Sequence, residues 1–222
     1  MDVVQARNRM VDGQVRTADV TDLRILAAML ELPRERFVPP GKADLAYTDL
    51  EIPIGPASPG SPARRMMTPR NLAKLIQAAD ISDADRVLVV GCGTGYGAAV
   101  LARLAAEVVA LDDDHGLTAS AAKALAECRI DNVMVATGPL AQGWPPLAPY
   151  DVIVLEGACE IGPRALFPQL AEGGRLICIE GRGPSGRAMV YVATGGVASG
   201  RSVFDAAAPL LPGFAAPPAF VF

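Results

Sequence analysis

Apolar residues along this 222-residue chain change their spacing twice. In the first part they recur at helical intervals, which predicts helices over residues 2–12 and 21–30. In "TDLRILAAMLEL" a Thr/Asp cap precedes Leu23, Leu26, Ala27 and Leu30 on one face, and Pro33 limits continuation. Residues 33–62 are rich in proline, glycine and serine and read as one long irregular segment, a kind that in compact domains is usually functional or mobile. Thr68-Pro69 then reads as the cap and first position of a helix over "PRNLAKLIQAAD". From residue 85 continuous apolar runs alternate with helical patterns. "RVLVVG", "EVVALD", "NVMVATG", "YDVIVLEG" and "RLICIEG" are predicted strands; 95–106, 116–128 and 163–171 are the helices between them. Strands apolar throughout imply a parallel sheet covered on both faces. The spacing changes again at the end, where "AMVYVAT" and "RSVFDAAAP" flank "GGVASG" as an antiparallel hairpin on one edge.

Composition narrows the function. A hydrophobic share of 51% supplies a sizeable core, and the length suits one α/β domain. A net charge of −4 argues against nucleic acid as the main partner. The four cysteines are widely spaced and His115 is the one histidine, so no metal-ligand motif is present. Free thiols, no signal-peptide pattern and no membrane-length apolar run make the cytoplasm the expected compartment and a membrane role unexpected.

The chemistry concentrates at "VGCGTGYG". After the first strand Gly91, Gly93 and Gly95, with Cys92 between, fall as GxGxG where a parallel sheet binds ligands. Such a loop exposes main chain to a ligand, and the helix that follows directs free N–H groups at it. The dinucleotide GxGxxG spacing is broken by Tyr96, and no Gly-Lys-Ser/Thr follows, which excludes a P-loop. The spacing is that of S-adenosylmethionine-dependent methyltransferases; a plain tight turn is the alternative. Asp112 ends the second strand, where a carboxylate accepts ribose hydroxyls; a solvated acidic turn or a helix N-cap is its alternative, and the favoured one for Asp113 and Asp114.

Beyond that motif the chain resembles the protein-L-isoaspartate O-methyltransferase family nearly end to end. The matching stretches are "RMVDGQVR", "LAAMLELPRERFVPP", "AYTDLEIPIG", "VLVVGCGTGYGAAVLARLAAEVVALD", "NVMVATG", "GWPPLAPYDVIV" and "LFPQLAEGGRLICIEG". The resemblance implies a Rossmann-like, seven-stranded, mostly parallel methyltransferase sheet with helices on both faces. It also implies an N-terminal helical extension with the substrate-side loop (residues 1–68) on a cofactor-binding domain (69–222), as one compact unit. The implied cofactor is S-adenosylmethionine, and the implied partner is a protein or peptide bearing isoaspartate, methylated on its α-carboxylate. A carboxylate is already nucleophilic, so no metal or general base is required and His115 needs no role. Gly138 and Leu140 join the glycines and Asp112 as expected cofactor contacts.

Three departures qualify the resemblance. Val89 replaces the acid the family carries two residues before the first glycine. Gly138-Pro139 replaces a Gly-Asp pair whose carboxylate reads the adenine. The loop over 56–68 replaces the family's Gln-Thr-Ile-Ser-Gln-Pro segment; Ser58, Ser61 and Thr68 are the candidate hydroxyls there, with Arg64 and Arg65 as candidate carboxylate ligands. The alternative for this loop is an adaptable surface segment, with solvated arginines and Thr68 as a helix cap. Glu156 is either a ligand contact or an anion repelling the substrate. A same-fold methyltransferase with another acceptor, and a degenerate binding domain, are the competing readings.

Overall fold

The computed structural model describes residues 2–55 and 63–217. The amino-terminal region opens with α1 (Val3–Met10), capped by Asp2, whose carboxylate accepts the Val4 and Gln5 N–H groups. It continues through a π turn at Val11–Val15 and a 3₁₀ turn at Arg16–Ala18, past the predicted end at residue 12. In α2 (Leu23–Glu31) the buried face is Ile25, Leu26, Ala28 and Met29. This differs from the predicted stripe: Leu23 is 74% exposed and Ala27 also faces out. Ile25, Met29 and Leu32 follow an i, i+4, i+7 spacing one register away, and that face meets the core.

The long irregular segment contains 3₁₀ turns at Arg34–Phe37 and Ala43–Leu45 and a two-stranded ribbon, β1 (Ile52–Pro53) against β2 (Arg65–Met66). Thr68 caps α3 (Pro69–Ala79): its hydroxyl accepts the Asn71 N–H at 3.3 Å, with Pro69 at the first helical position.

The main sheet contains β3 (Arg86–Val90), β4 (Glu107–Asp112), β5 (Val133–Thr137), β6 (Tyr150–Cys159), β7 (Leu170–Glu180), β8 (Arg187–Thr194) and β9 (Val197–Asp205), in the spatial order β5-β4-β3-β6-β7-β8-β9. The first five strands run parallel; β8 and β9 add antiparallel at one edge, as the carboxyl-terminal pattern predicts. That hairpin turns on Gly195 and Gly196 alone, both with positive φ, and "VASG" lies inside β9.

Strand residues alternate between two apolar layers. Val87 and Val89 enter one, with α1–α3, α4 (Tyr96–Leu101) and part of α5 (His115–Glu127) packed over them. Leu88 and Val90 enter the other. The second face is covered by 3₁₀ turns and the carboxyl-terminal tail. The predicted helix over 163–171 is a 3₁₀ turn, Arg164–Gln169, interrupted by Pro168. The tail lies against its own sheet: Ala158 N–H donates to Pro209 O at 2.7 Å, and Leu211 and Phe214 are buried in the second layer. Among the described residues no helix is long and apolar enough to cross a membrane.

Candidate active site

Strand order reverses about β3, whose neighbours are β4 and β6, and the glycine loop leaves β3 at that switch point. Gly91 and Cys92 N–H groups donate to Leu111 O at 2.9 and 3.0 Å, which ties the loop to the tip of β4. Gly93 has φ +55°, which favours glycine, and a Cβ there would displace the tip of Ile54, 2.6 Å away at Cδ1. The helix after the loop, α4, has six residues and ends at Leu101, well before the predicted residue 106.

Asp112 ends β4 fully buried, facing this loop. Its Oδ2 accepts the Gly93 N–H at 2.8 Å, and its Oδ1 accepts the Asp114 N–H at 3.2 Å. Burial pushes its carboxyl above the usual carboxylate value, opposed by the Arg64 guanidinium and those two N–H groups. Asp114 caps α5, in line with its sequence reading.

Arg64 is not solvated; it holds a carboxylate of the protein itself. It is 7% exposed, and its Nη2 donates to Asp112 Oδ2 at 2.7 Å while Nη1 reaches Asp113 at 3.3 Å. A carboxylate withdrawn from water requires a cation or donors, and Arg64 supplies them. Arg65 borders the same void, its guanidinium paired with Glu51 at 3.2 Å. Leu211 from the tail stands over Gly91, 2.6 Å from where a Cβ would be. The void left among Gly91, Gly93, Tyr96, Met66 and Glu156 is about 10 Å³, room for a single water. A larger cleft of about 310 Å³ lies alongside, lined by Phe37, Pro39, Lys123 and Glu127 and sharing Ile54 and Thr94 with the void.

The structure brings Gly91, Cys92, Gly93, Gly95 and Asp112 together. Gly138 follows β5 at the same sheet end, its N–H donating to Asp112 O at 2.9 Å, with Trp144 against it. Leu140 is turned into the second apolar layer. Thr68 is a helix cap, and Ser58 and Ser61 lie outside the described residues. His115 is an exposed residue of the first turn of α5. The four cysteines are free. Cys159, Cys178 and Glu180 have ligand atoms within 4.8 Å of one another, but both sulfurs are packed in the second apolar layer. A hydrogen bond with Cys159, with burial, holds the Cys178 thiol well above its ordinary value.

Sequence reasoning missed Arg34 and Tyr96. Arg34 is fully buried: Nε donates to Ala46 O at 2.8 Å and Nη2 to Met67 O at 2.7 Å, and the guanidinium stacks 4.5 Å from the Tyr96 ring centroid. In "PRERF" it looks like one of several solvated charges, and only its tertiary position separates it. Tyr96 was noted only for breaking a glycine motif; its place directly after Gly95 was the available signal.

A family model described as protein-L-isoaspartate(D-aspartate) O-methyltransferase matches residues 5–194. The chain belongs to that family. Curated members include protein-L-isoaspartate O-methyltransferase 1 of Rhodopseudomonas palustris (strain HaA2), 41% identical over 83% of this chain and 73% of that protein. The enzyme of Methanoculleus marisnigri is 39% identical over 77% of this chain and 75% of its own length. A solved protein-L-isoaspartate O-methyltransferase superposes with a TM-score of 0.79 at 25% identity, over 93% of this chain and 66% of that one. The fold also matches a Plasmodium falciparum structure described as a protein-L-isoaspartate O-methyltransferase in complex with S-adenosyl-L-homocysteine, with a TM-score of 0.75 at 18% identity, over 92% of this chain and 97% of that one. The family's reaction is S-adenosylmethionine-dependent methylation of isoaspartyl carboxylates in protein, and family membership makes the chain a methyltransferase of this class.

Proposed function

We propose that this chain methylates the α-carboxylate of isoaspartyl residues at the β3 end of its sheet, in one compact unit working in the cytoplasm. The observation that carries the site assignment is Asp112, buried at the tip of β4 and bonded to the glycine loop. The donor set suits an adenosyl cofactor: a fixed carboxylate for ribose hydroxyls and a loop stripped of side chains. The chemistry fits, and Arg64 and Ile54 stand in the space beside the loop that such a group would need.

S-adenosylmethionine supplies an electrophilic methyl group when bound. Asp112 and the glycine main chain hold the nucleoside end. Met66, Met67 and Ile54 exclude water from the reacting centre. Arg64, once released from Asp112, is the cation closest to hand for the acceptor carboxylate, and Ser58 and Ser61 remain candidate hydroxyls on the same connection. No protein base is required, because the acceptor is ionised at neutral pH; alignment supplies the rate.

The test is transfer of labelled methyl from S-adenosylmethionine to an isoaspartyl peptide, with its aspartyl isomer as control. Base-labile label on the isoaspartyl peptide alone is the expected result. Cofactor binding with no transfer to that peptide would refute the substrate, and a screen of other small acids and amines then identifies the acceptor.

A further inference from the structure

Among the described residues Glu156 is the one buried acid near the loop with neither a hydrogen-bond nor an ion-pair partner. In the register of β3 with β6, Val89 pairs with Val154 and Val90 with Leu155, so the next residues along the two strands are Gly91 and Glu156. Neither Val89 nor Val90 brings a charge to the loop; β6 brings one. The side chain lines the small void with Gly91, Gly93 and Tyr96. Its Oε1 is buried without a hydrogen-bond partner among the described residues, and the carboxylate has no ion-pair partner there. A Cβ at residue 97 would lie 1.9 Å from Oε1, so Gly97 makes the room this carboxyl occupies.

An unpaired carboxyl in such a place is costly unless a ligand brings the missing donors. We propose that Glu156 receives the α-ammonium group at the amino-acid end of the cofactor, an inference that rests on the cofactor reading above. That group carries a positive charge and three N–H donors, and it must lie near the loop if the ribose is on Asp112. The Tyr96 hydroxyl, also buried and unpartnered, lines the same void and offers a donor to the neighbouring carboxylate of that zwitterion.

Proton balance makes the assignment measurable. Burial first, and then the Asp112 carboxylate at the tip of β4, push the Glu156 carboxyl up to about 8; Arg34 from the extension and Arg64 before β2 oppose this. In the empty protein at pH 7 the group is therefore protonated. The arriving ammonium is paired only by the carboxylate, so the Glu156 proton passes to the buffer as the ligand binds. Affinity then increases with pH from 6 to 7.5, by up to about tenfold per unit.

The experiment is calorimetric titration with S-adenosylhomocysteine, in buffers of different ionisation enthalpy, on the full chain and on Glu156→Gln. The same titrations use 5′-methylthioadenosine, which lacks the amino-acid end. The expected results are release of roughly one proton per ligand at pH 7 in the parent chain, and S-adenosylhomocysteine binding weakened at least about tenfold in the variant, without proton release. Methylthioadenosine should bind both proteins alike. Equal S-adenosylhomocysteine affinity and equal proton counts in the two proteins overturn the assignment and leave the cofactor reading standing. Failure of both ligands to bind the parent chain overturns both.

Discussion

Removing Arg64 should make the cradle easier to enter. In the empty protein the Arg64 guanidinium is bonded to Asp112 at 2.7 Å and to Asp113 at 3.3 Å. If ribose hydroxyls take Asp112, the first of these must break. A hydrogen bond to a charged buried group contributes about 1.5–3 kcal/mol. The second is to a carboxylate about one-third exposed, so it adds at most about 1 kcal/mol. Arg64→Ala removes that competition, and S-adenosylhomocysteine should bind roughly 10- to 100-fold more tightly. The same change strands Asp112 in the empty protein, so the melting temperature should fall without ligand and rise further on saturation than in the parent chain. Calorimetric titration and thermal unfolding with and without ligand read both effects. Equal or weaker binding by Arg64→Ala would refute the reasoning, for Arg64 would then be a ligand contact or a bystander and not the occupant of the cradle.

Further expectations follow from the same geometry. Asp112→Asn should weaken cofactor binding by about 1–3 kcal/mol in the same titration; unchanged affinity removes the ribose assignment. Arg34→Ala should lower the denaturant midpoint, costing about 3 kcal/mol, because it leaves the Ala46 and Met67 carbonyls without donors. Gly97→Ala should destabilise by about 1–3 kcal/mol through its clash with Glu156, and Glu156→Ala should rescue it in a double-mutant cycle. Glu156 titrates near 8 when folded, against about 4.3 in an unfolded chain, so the folded protein binds more protons and stability drains away as pH rises through that window. Unfolding midpoints of Glu156→Gln should therefore pull ahead of the parent between pH 5 and 8.

The sheet was legible because each parallel strand reads as an unbroken apolar run between glycines and acids, a pattern tertiary packing seldom overrides. Asp112 was legible from its position after such a run. The helical stripe of α2 was misjudged because both candidate faces contain leucines, and only the docking surface selects Ile25 over Leu23. The helix expected over 163–171 is a short turn instead, because Pro168 falls inside it. The occupant of the cradle was not legible at all. Arg64 sits in a polar, proline-flanked stretch whose composition describes a solvated loop, and its partner lies 48 positions away.

The wall over Gly91 and Gly157 is built by Leu211, from the segment that follows β9. Without residues 209–214 the loop is exposed on that side, together with the apolar layer that Leu211 and Phe214 seal. Proteolytic clipping before residue 209 would thereby bare a sticky surface beside the glycine loop, so nicked protein should aggregate while its sheet is still intact.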